Sequence, residues 1–379
     1  MKRNFMENLL DGVEVEWVPL NKVVKTVTAP TKVKKEIYRE KGKIPIIDQG
    51  ITFIAGYTDE DLEPVNEDDY IVFGDHSEHI KYVDFAFIQG ADGLKILKSK
   101  FANTKYVYYA FVNFYQKELN YKRHWSSAKE TLIPIPCPEN PEKSLEIQEE
   151  IVRILDAFTE LTAELTAELT ARKKQYTYYR DQLLTFEEGE VEWKPLGETL
   201  VRTKGTKITA GQMKELHKIN APLKIFAGGK TIAFVDFEDI PKKDINREPS
   251  IIVKSRGNIE FEYYDKPFSH KNEMWSYHSK NKNINIKFVY YFLKINELYF
   301  QNIGSRMQMP QIATPDTDKF KIPVPPIEEQ DRIVSILDKF DALTSSITEG
   351  LPREIELRQK QYEYYRNMLL SFPKEEVEK

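Results

Sequence analysis

Cysteine is almost absent: Cys137 is the single one in 379 residues. An internal disulfide is therefore impossible, and so is a zinc site built on several cysteines. Such a chain suits a reducing compartment. Long apolar runs are missing as well. None approaches the roughly 18 residues that suggest a membrane span, and the opening MKRNFMENLLDGVEVEW holds no apolar core of signal-peptide length. A cytoplasmic protein with no membrane segment is the expectation.

Catalytic signatures are present only as fragments. Gly228-Gly229-Lys230-Thr231 matches the tail of a phosphate-binding loop, but Lys224 stands where that motif needs its first glycine. No Asn/Asp-Pro-Pro-aromatic tetrapeptide occurs, as amino-methyltransferases use for a flipped base. Pro315-Asp316 is not followed by the Glu-x-Lys of a nuclease. His76 and His79 could begin a metal site, but no third ligand is evident. The pattern argues against an enzyme.

What the chain does have is a duplication. Gln148–Phe158 (QEEIVRILDAF) returns as Gln330–Phe340 (QDRIVSILDKF). Gln175–Arg180 (QYTYYR) returns as Gln361–Arg366 (QYEYYR), and Val15–Leu20 (VEWVPL) returns as Val191–Leu196 (VEWKPL). The segments between these blocks look unrelated to each other. The net charge of -5 is unevenly spread. Residues 21–140 hold 17 basic and 17 acidic residues, residues 197–327 hold 21 basic and 14 acidic, and the remainder carries -12. Neutral to basic inserts on an acidic scaffold fit a protein whose inserts approach phosphate.

Residues 147–185 read as one helix of roughly 58 Å, with apolar residues three and four apart and no internal Gly or Pro. Residues 328–371 repeat the pattern, with an expected break at Gly350-Leu351-Pro352. Pro-rich exits precede both, at Ile133–Pro138 and Ile322–Pro326. Chain order then predicts two antiparallel helices with one insert near each end. The inserts read as α+β. Candidate strands are Lys43–Ile47, Tyr70–Phe73, Val83–Ile88, Thr231–Val235 and Ser250–Val253, and candidate helices are Lys105–Tyr115 and Ile286–Leu298.

Both inserts place Arg, Lys, Gln, Asn and Ser on glycine-bearing segments, as base-edge and phosphate contacts require. The DNA-contacting candidates in the first insert are Lys32, Lys34, Lys35, Gln49, Thr52, Tyr57, His76, Lys122, Arg123, Trp125 and Ser126. In the second they are Lys204, Lys207, Lys230, Lys254, Arg256, Lys271, Asn272, Trp275, Ser305, Arg306 and Gln308.

The order of these marks resembles the DNA-specificity subunit of type I restriction-modification systems. The tetrapeptide Thr-Ala-Glu-Leu, at 162–165 and again at 166–169, resembles the IC-like subclass in particular. The resemblance implies two α+β target-recognition domains separated by a long antiparallel helical coiled coil, with pseudo-two-fold symmetry. Residues 1–20 would complete the repeat, 21–140 and 191–327 would be the recognition domains, and 141–190 and 328–379 the helical regions. It also implies a non-catalytic protein that reads a split, asymmetric double-stranded DNA target. Two methyltransferase subunits using S-adenosylmethionine would join it, and restriction subunits using ATP and Mg could be added; this chain itself would bind no cofactor. Tyr176, Tyr179, Arg180, Tyr362, Tyr365 and Arg366 are candidate subunit contacts, and could equally be core between the helices. The competing reading is a coiled-coil spacer displaying two protein-binding modules without DNA readout.

Overall fold

The computed structural model describes residues 12–372, apart from 91, 188, 230, 306–308 and 347. It divides into two compact units. Unit 1 is formed by Met1–Thr166 with Glu354–Lys379, and unit 2 by Ala167–Arg353. Five helices matter below: α1 (Thr104–Phe114), α2 (Pro141–Leu183), α3 (Ile286–Ile295), α4 (Ile327–Ser345) and α5 (Gly350–Leu369).

The two inserts do not resemble each other in sequence, yet they carry the same sheets in the same order. Unit 1 has an antiparallel four-stranded sheet ordered Val24–Val27, Leu94–Ser99, Tyr70–Gly74, Ile80–Val83. Unit 2 repeats it as Val201–Lys204, Trp275–His278, Ser250–Lys254, Glu260–Tyr264. A three-stranded sheet follows suit: Gly56–Thr58, Ile44–Ile47, Ile88–Gln89 in unit 1 and Ile232–Val235, Leu223–Phe226, Phe268–His270 in unit 2. In each the first pair is antiparallel and the second parallel. A two-stranded ribbon closes each unit, Val15–Pro19 with Leu132–Pro136 and Glu192–Pro195 with Lys321–Val324. Its prolines are tolerated because a two-stranded ribbon has only edges.

The expected strand over Val83–Ile88 is not one strand. Ile80–Val83 belongs to the four-stranded sheet and Ile88–Gln89 to the three-stranded one, so the chain crosses between sheets at the exposed Asp84. The expected helix Ile286–Leu298 is broken at Asn296, whose side-chain amide donates to the Phe292 carbonyl (2.8 Å) and competes with helix continuation.

In each unit one helix lies between sheet and scaffold. Tyr106, Val107, Ala110 and Phe111 of α1 share a core with Ile71, Phe73 and Leu97 of the sheet and with Ile151 and Leu155 of α2. Phe288, Val289, Phe292 and Leu293 of α3 do the same with Ile251, Val253, Tyr277, Ile333 and Leu337. Each buried residue of this size contributes roughly 1.5–3 kcal/mol of transfer free energy.

A polar node repeats beside each core. Asn103 caps α1, its side chain accepting from the Tyr106 N–H (2.9 Å), while its own N–H donates to Gln148 Oε1 (2.9 Å). Lys105 and Tyr109 then converge on Asp156, at 2.8 and 2.6 Å. In unit 2 Asn285 caps α3 and donates to Gln330 Oε1 (2.8 Å), and Lys287 and Tyr291 reach Asp338 at 2.8 and 2.5 Å. Even the cation–ring contacts match: Lys105 lies 4.9 Å from the Tyr82 ring and Lys287 5.2 Å from that of Tyr263.

α2 is unbroken for 43 residues, beginning at Pro141. The second repeat is interrupted between Ser345 and Gly350, which accommodates its four-residue excess over the first. Gly350 has φ 77°, and a Cβ there would lie 2.4 Å from the Ala342 carbonyl oxygen, so only glycine fits.

Candidate nucleic-acid interface

In unit 1, four connecting loops are tied together by hydrogen bonds at one end of the sheets. They are 48–55, 74–79, 90–93 and 115–126. The Gln49 side chain joins three of them, accepting from the His76 N–H (3.2 Å) and donating to the Asp92 carbonyl (3.3 Å). Asp75 joins the fourth: its carbonyl accepts from the His124 N–H and its carboxylate from the Trp125 N–H, both at 2.8 Å.

Two buried charges hold these loops from beneath. The Lys81 ammonium donates to the carbonyls of Asp48 (2.8 Å), Thr52 (2.6 Å) and Phe53 (3.4 Å), fixing the 48–53 turn. Burial pulls its pKa below the ordinary lysine value. The Glu78 carboxylate accepts from the Tyr115 hydroxyl (2.7 Å) and the N–H groups of Glu118 (2.8 Å) and Leu119 (2.9 Å). Burial pushes this carboxyl up, but those donors outweigh it and its pKa lies below the usual range. His124 Nδ1 lies 3.4 Å from the same carboxylate. Glu78 and Leu119 both have φ 55°, a left-handed conformation that costs a non-glycine residue roughly 1–2 kcal/mol.

The corresponding loops of unit 2 are 227–231, 255–259, 271–274 and 304–312. Among their described residues, backbone and hydroxyl bonds join the last three to one another and to the strand end before the first. The Lys271 N–H donates to the Phe226 carbonyl (2.9 Å), just as the Gly90 N–H does to Ile47 (2.8 Å). Ser255 donates to the Glu273 carbonyl (2.7 Å), and its own carbonyl accepts from the Ile312 N–H (3.0 Å).

The candidates read from the sequence distribute unevenly over this framework. Exposed on or beside the loops are Thr52, Lys122, Arg123, Ser126, Arg256, Asn272 and Ser305. Lys32, Lys34, Lys35 and Lys207 are exposed on the segments that follow the first strand of each four-stranded sheet, and Lys204 is exposed at the end of that strand in unit 2. Lys230, Arg306 and Gln308 lie outside the described residues.

Several candidates serve the fold instead. Trp275 is buried in the four-stranded sheet, its indole N–H donating to Thr317 (3.0 Å). Trp125 leans on Phe73 (6.0 Å between centroids) and anchors its loop inward. Gln49 spends its amide on the brace just described. Lys254 is paired with Glu260 and Glu262, and Lys271 with Glu273. Tyr57 sits within the three-stranded sheet, where it exchanges backbone bonds with Arg39. His76 remains partly exposed, its ring stacked on that of Tyr121. Among the described residues no cluster of three metal-ligating side chains occurs, and no helix is long and apolar enough to cross a membrane.

The helical tyrosines also divide. Tyr365 stacks on Phe158 (5.1 Å) in unit 1, and Tyr179 on Phe340 (5.9 Å) in unit 2. Tyr362 and Tyr176 pack against the two cores, and burial raises the Tyr176 pKa to about 12. Arg180 and Arg366 lie over the rings of Tyr176 and Tyr362, at 5.8 and 5.7 Å. The most outward members of these aromatic stripes are Tyr178 (63% exposed) and Tyr364 (65%), with Tyr179 also exposed.

Two α+β units of one topology, each with a loop cluster and a share of a long helix, define a duplicated recognition scaffold. The family model for the type I restriction modification DNA specificity domain matches residues 12–172 and 203–357. The chain belongs to this family of type I restriction-modification DNA-specificity subunits, which are non-catalytic components of those systems. It is 42% identical to the EcoR124I/EcoR124II specificity subunit of Escherichia coli, over 99% of this chain and 98% of that one. It is 33% identical to a putative type I specificity subunit of Haemophilus influenzae, over 98% and 99%. Its fold matches the crystal structure of a type I restriction-modification S subunit from M. genitalium with a TM-score of 0.67, 18% identity and coverage of 99% and 98%.

Proposed function

We propose that this chain reads a split, asymmetric double-stranded DNA target, one half with the loop cluster of each unit. It does so in the cytoplasm, as the scaffold for two methyltransferase subunits that use S-adenosylmethionine. Restriction subunits that use ATP and Mg would join the same core, and the chain itself would bind no cofactor. The observation that carries this reading is the pair of equivalent loop clusters. Both display exposed polar and basic side chains on loops that hydrogen bonds tie to one another, with further exposed lysines at or just after the first strand of each four-stranded sheet. Phosphate contacts would come from the exposed lysines, and base reading from residues at the loop tips.

α2 belongs to both units, so its length would set the unread gap between half-sites. Its Thr-Ala-Glu-Leu copies, the mark of the IC-like subclass, keep Leu161, Leu165 and Leu169 in one stripe. A third copy adds about 6 Å of helix, which is one to two base pairs at about 3.4 Å each.

The test is co-expression with the neighbouring methyltransferase subunit in a methylation-free host, followed by genome-wide mapping of modified adenines. The expected result is a bipartite motif with a fixed gap. A third tetrapeptide copy should lengthen that gap and leave both half-sites unchanged; altered half-site bases would refute the ruler. A stable complex that methylates nothing would refute DNA reading.

A further inference from the structure

We infer that Leu119 and Tyr121 read the 5-methyl group of thymine in the half-site of unit 1, and that Glu78 is the residue that positions them. This rests on the proposed DNA-reading role and deepens it. Leu119 is 85% exposed and Tyr121 93%, so both side chains are available to a partner. Exposure alone is ordinary for single apolar residues, and it is the way this segment is held that sets it apart. The buried Glu78 carboxylate takes the N–H groups of Glu118 and Leu119 together with the Tyr115 hydroxyl. Leu119 is fixed there in a left-handed conformation that it does not adopt freely, and Glu78 shares that conformation. Strain of this kind persists only where the surroundings impose it, and it gathers at functional sites.

Tyr121 is oriented as well. His76 lies against it, 5.7 Å between centroids and 21° between planes. The His76 ring contacts the Lys122 carbonyl (3.2 Å), and its backbone N–H is held by Gln49. On the adjoining loop Ile51 is 82% exposed, its turn fixed by Lys81.

The loop cluster thus presents fixed apolar groups where a DNA reader needs base-specific chemistry. The thymine methyl is the apolar group that the major-groove edge of a base pair offers, and apolar side chains select it. Arg123 and Lys122 follow directly in the chain and are exposed, Lys122 while paired with Glu118, and they supply positive charge for phosphate attraction beside such a contact.

The experiment uses the full chain in complex with its methyltransferase subunit, on a duplex carrying the mapped target. Each thymine is replaced in turn by deoxyuridine, which removes the methyl and keeps the base pair. One or two thymines of one half-site should become sensitive, losing about fourfold in methylation rate, the worth of one buried methyl. In Leu119→Ala and Tyr121→Ala that loss should already be present, with deoxyuridine adding nothing; the other half-site should respond as in the unaltered chain. Glu78→Gln should abolish the same discrimination. Leu119→Gly relieves the strained backbone, so it should raise Tm while still losing discrimination, a combination that a purely structural role does not give. If Glu78→Gln fails to fold, the exposed variants carry the test. No deoxyuridine-sensitive thymine, or sensitivity unchanged in both variants, overturns the inference. So does loss of the methyltransferase complex in these variants with sensitivity intact, which would make the patch a subunit contact. Absence of any methylated motif would instead remove the DNA-reading role itself.

Discussion

The two units share a framework and differ in how their loops are held. Val72 of unit 1 pairs across the sheet with Lys81; the corresponding Ile252 of unit 2 pairs with Glu262. Lys81 reaches up and binds three loop carbonyls. Glu262 instead sits between Lys254 (2.8 Å) of its own sheet and Lys224 (3.2 Å) of the three-stranded sheet. Unit 1 has two left-handed non-glycine residues in its loop cluster; in unit 2, among the described residues, only Asn220 has positive φ outside glycine. The first insert is neutral and the second carries +7. The framework is therefore conserved by repeated internal contacts, while each loop set has its own means of support. Unit 1 relies on buried charges that shape its turns, and unit 2 carries excess positive charge.

If the framework is common, its polar node must be worth the same in both units. Asp156→Ala strands the Tyr109 hydroxyl and Lys105, and Asp338→Ala strands Tyr291 and Lys287. Each should cost about 2–4 kcal/mol, measured by denaturant unfolding, with faster amide exchange in α1 or α3 respectively. Costs differing by more than about 1.5 kcal/mol would mean that the two nodes are alike only in appearance.

The supports should be separable from the framework. Lys81→Met leaves three carbonyls without their donor and should cost about 1–3 kcal/mol. Exchange should quicken at 50–55 and stay unchanged at 227–231, and Lys81→Arg should recover part of the loss. Protection unaffected at 50–55 would show that the turn holds itself.

A third contrast lies at one register position. Gln89 pairs with Ile47 in unit 1, and His270 pairs with Phe226 in unit 2. His270 is buried, which lowers its pKa, with the Lys271 carbonyl and Glu273 opposing. The folded state thus resists a proton that the unfolded chain accepts below about pH 6.5. Stability is complete above that pH and falls on acidification, by at most about 1.4 kcal/mol per pH unit for this group. Other histidines bear on the same window: His278 in unit 2 and His79 in unit 1 are also lowered by burial. His270→Gln, which installs the residue of unit 1, should flatten the decline between pH 6.5 and 5 without removing it. An unaltered pH profile would show that His270 is not its source.

Part of this framework was legible in the sequence. The uninterrupted apolar stripe fixed one long helix, and Gly350-Leu351-Pro352 marked the interruption in the second. The equivalence of the inserts was missed, although a short repeat signals it. Asn103-Thr-Lys-Tyr-Val-Tyr-Tyr109 returns as Asn285-Ile-Lys-Phe-Val-Tyr-Tyr291, and these residues are the cap and node of α1 and α3. Sheets escape such reading because strand order depends on pairing between distant segments, and only burial, not identity, is constrained along each strand. The site was less legible still. Composition singled out Trp125, Trp275 and Gln49, whose tasks are internal, and passed over Leu119 and Tyr121, whose exposure depends on a buried carboxylate forty positions away in the chain.

The smallest effects should distinguish charge from shape. An exposed lysine that meets a phosphate contributes counterion release, so its removal lowers the slope of log affinity against log salt by about 0.9. Lys207→Ala in unit 2 should do this and weaken all sequences alike. Leu119→Ala in unit 1 should leave the slope unchanged and weaken only the cognate target. Both follow from binding isotherms of the methyltransferase complex at several salt concentrations, on cognate and scrambled duplexes. Equal slope changes from the two substitutions would mean that unit 1, neutral though it is, also binds chiefly through phosphate, and that its apolar loop tips are held out for something other than a base.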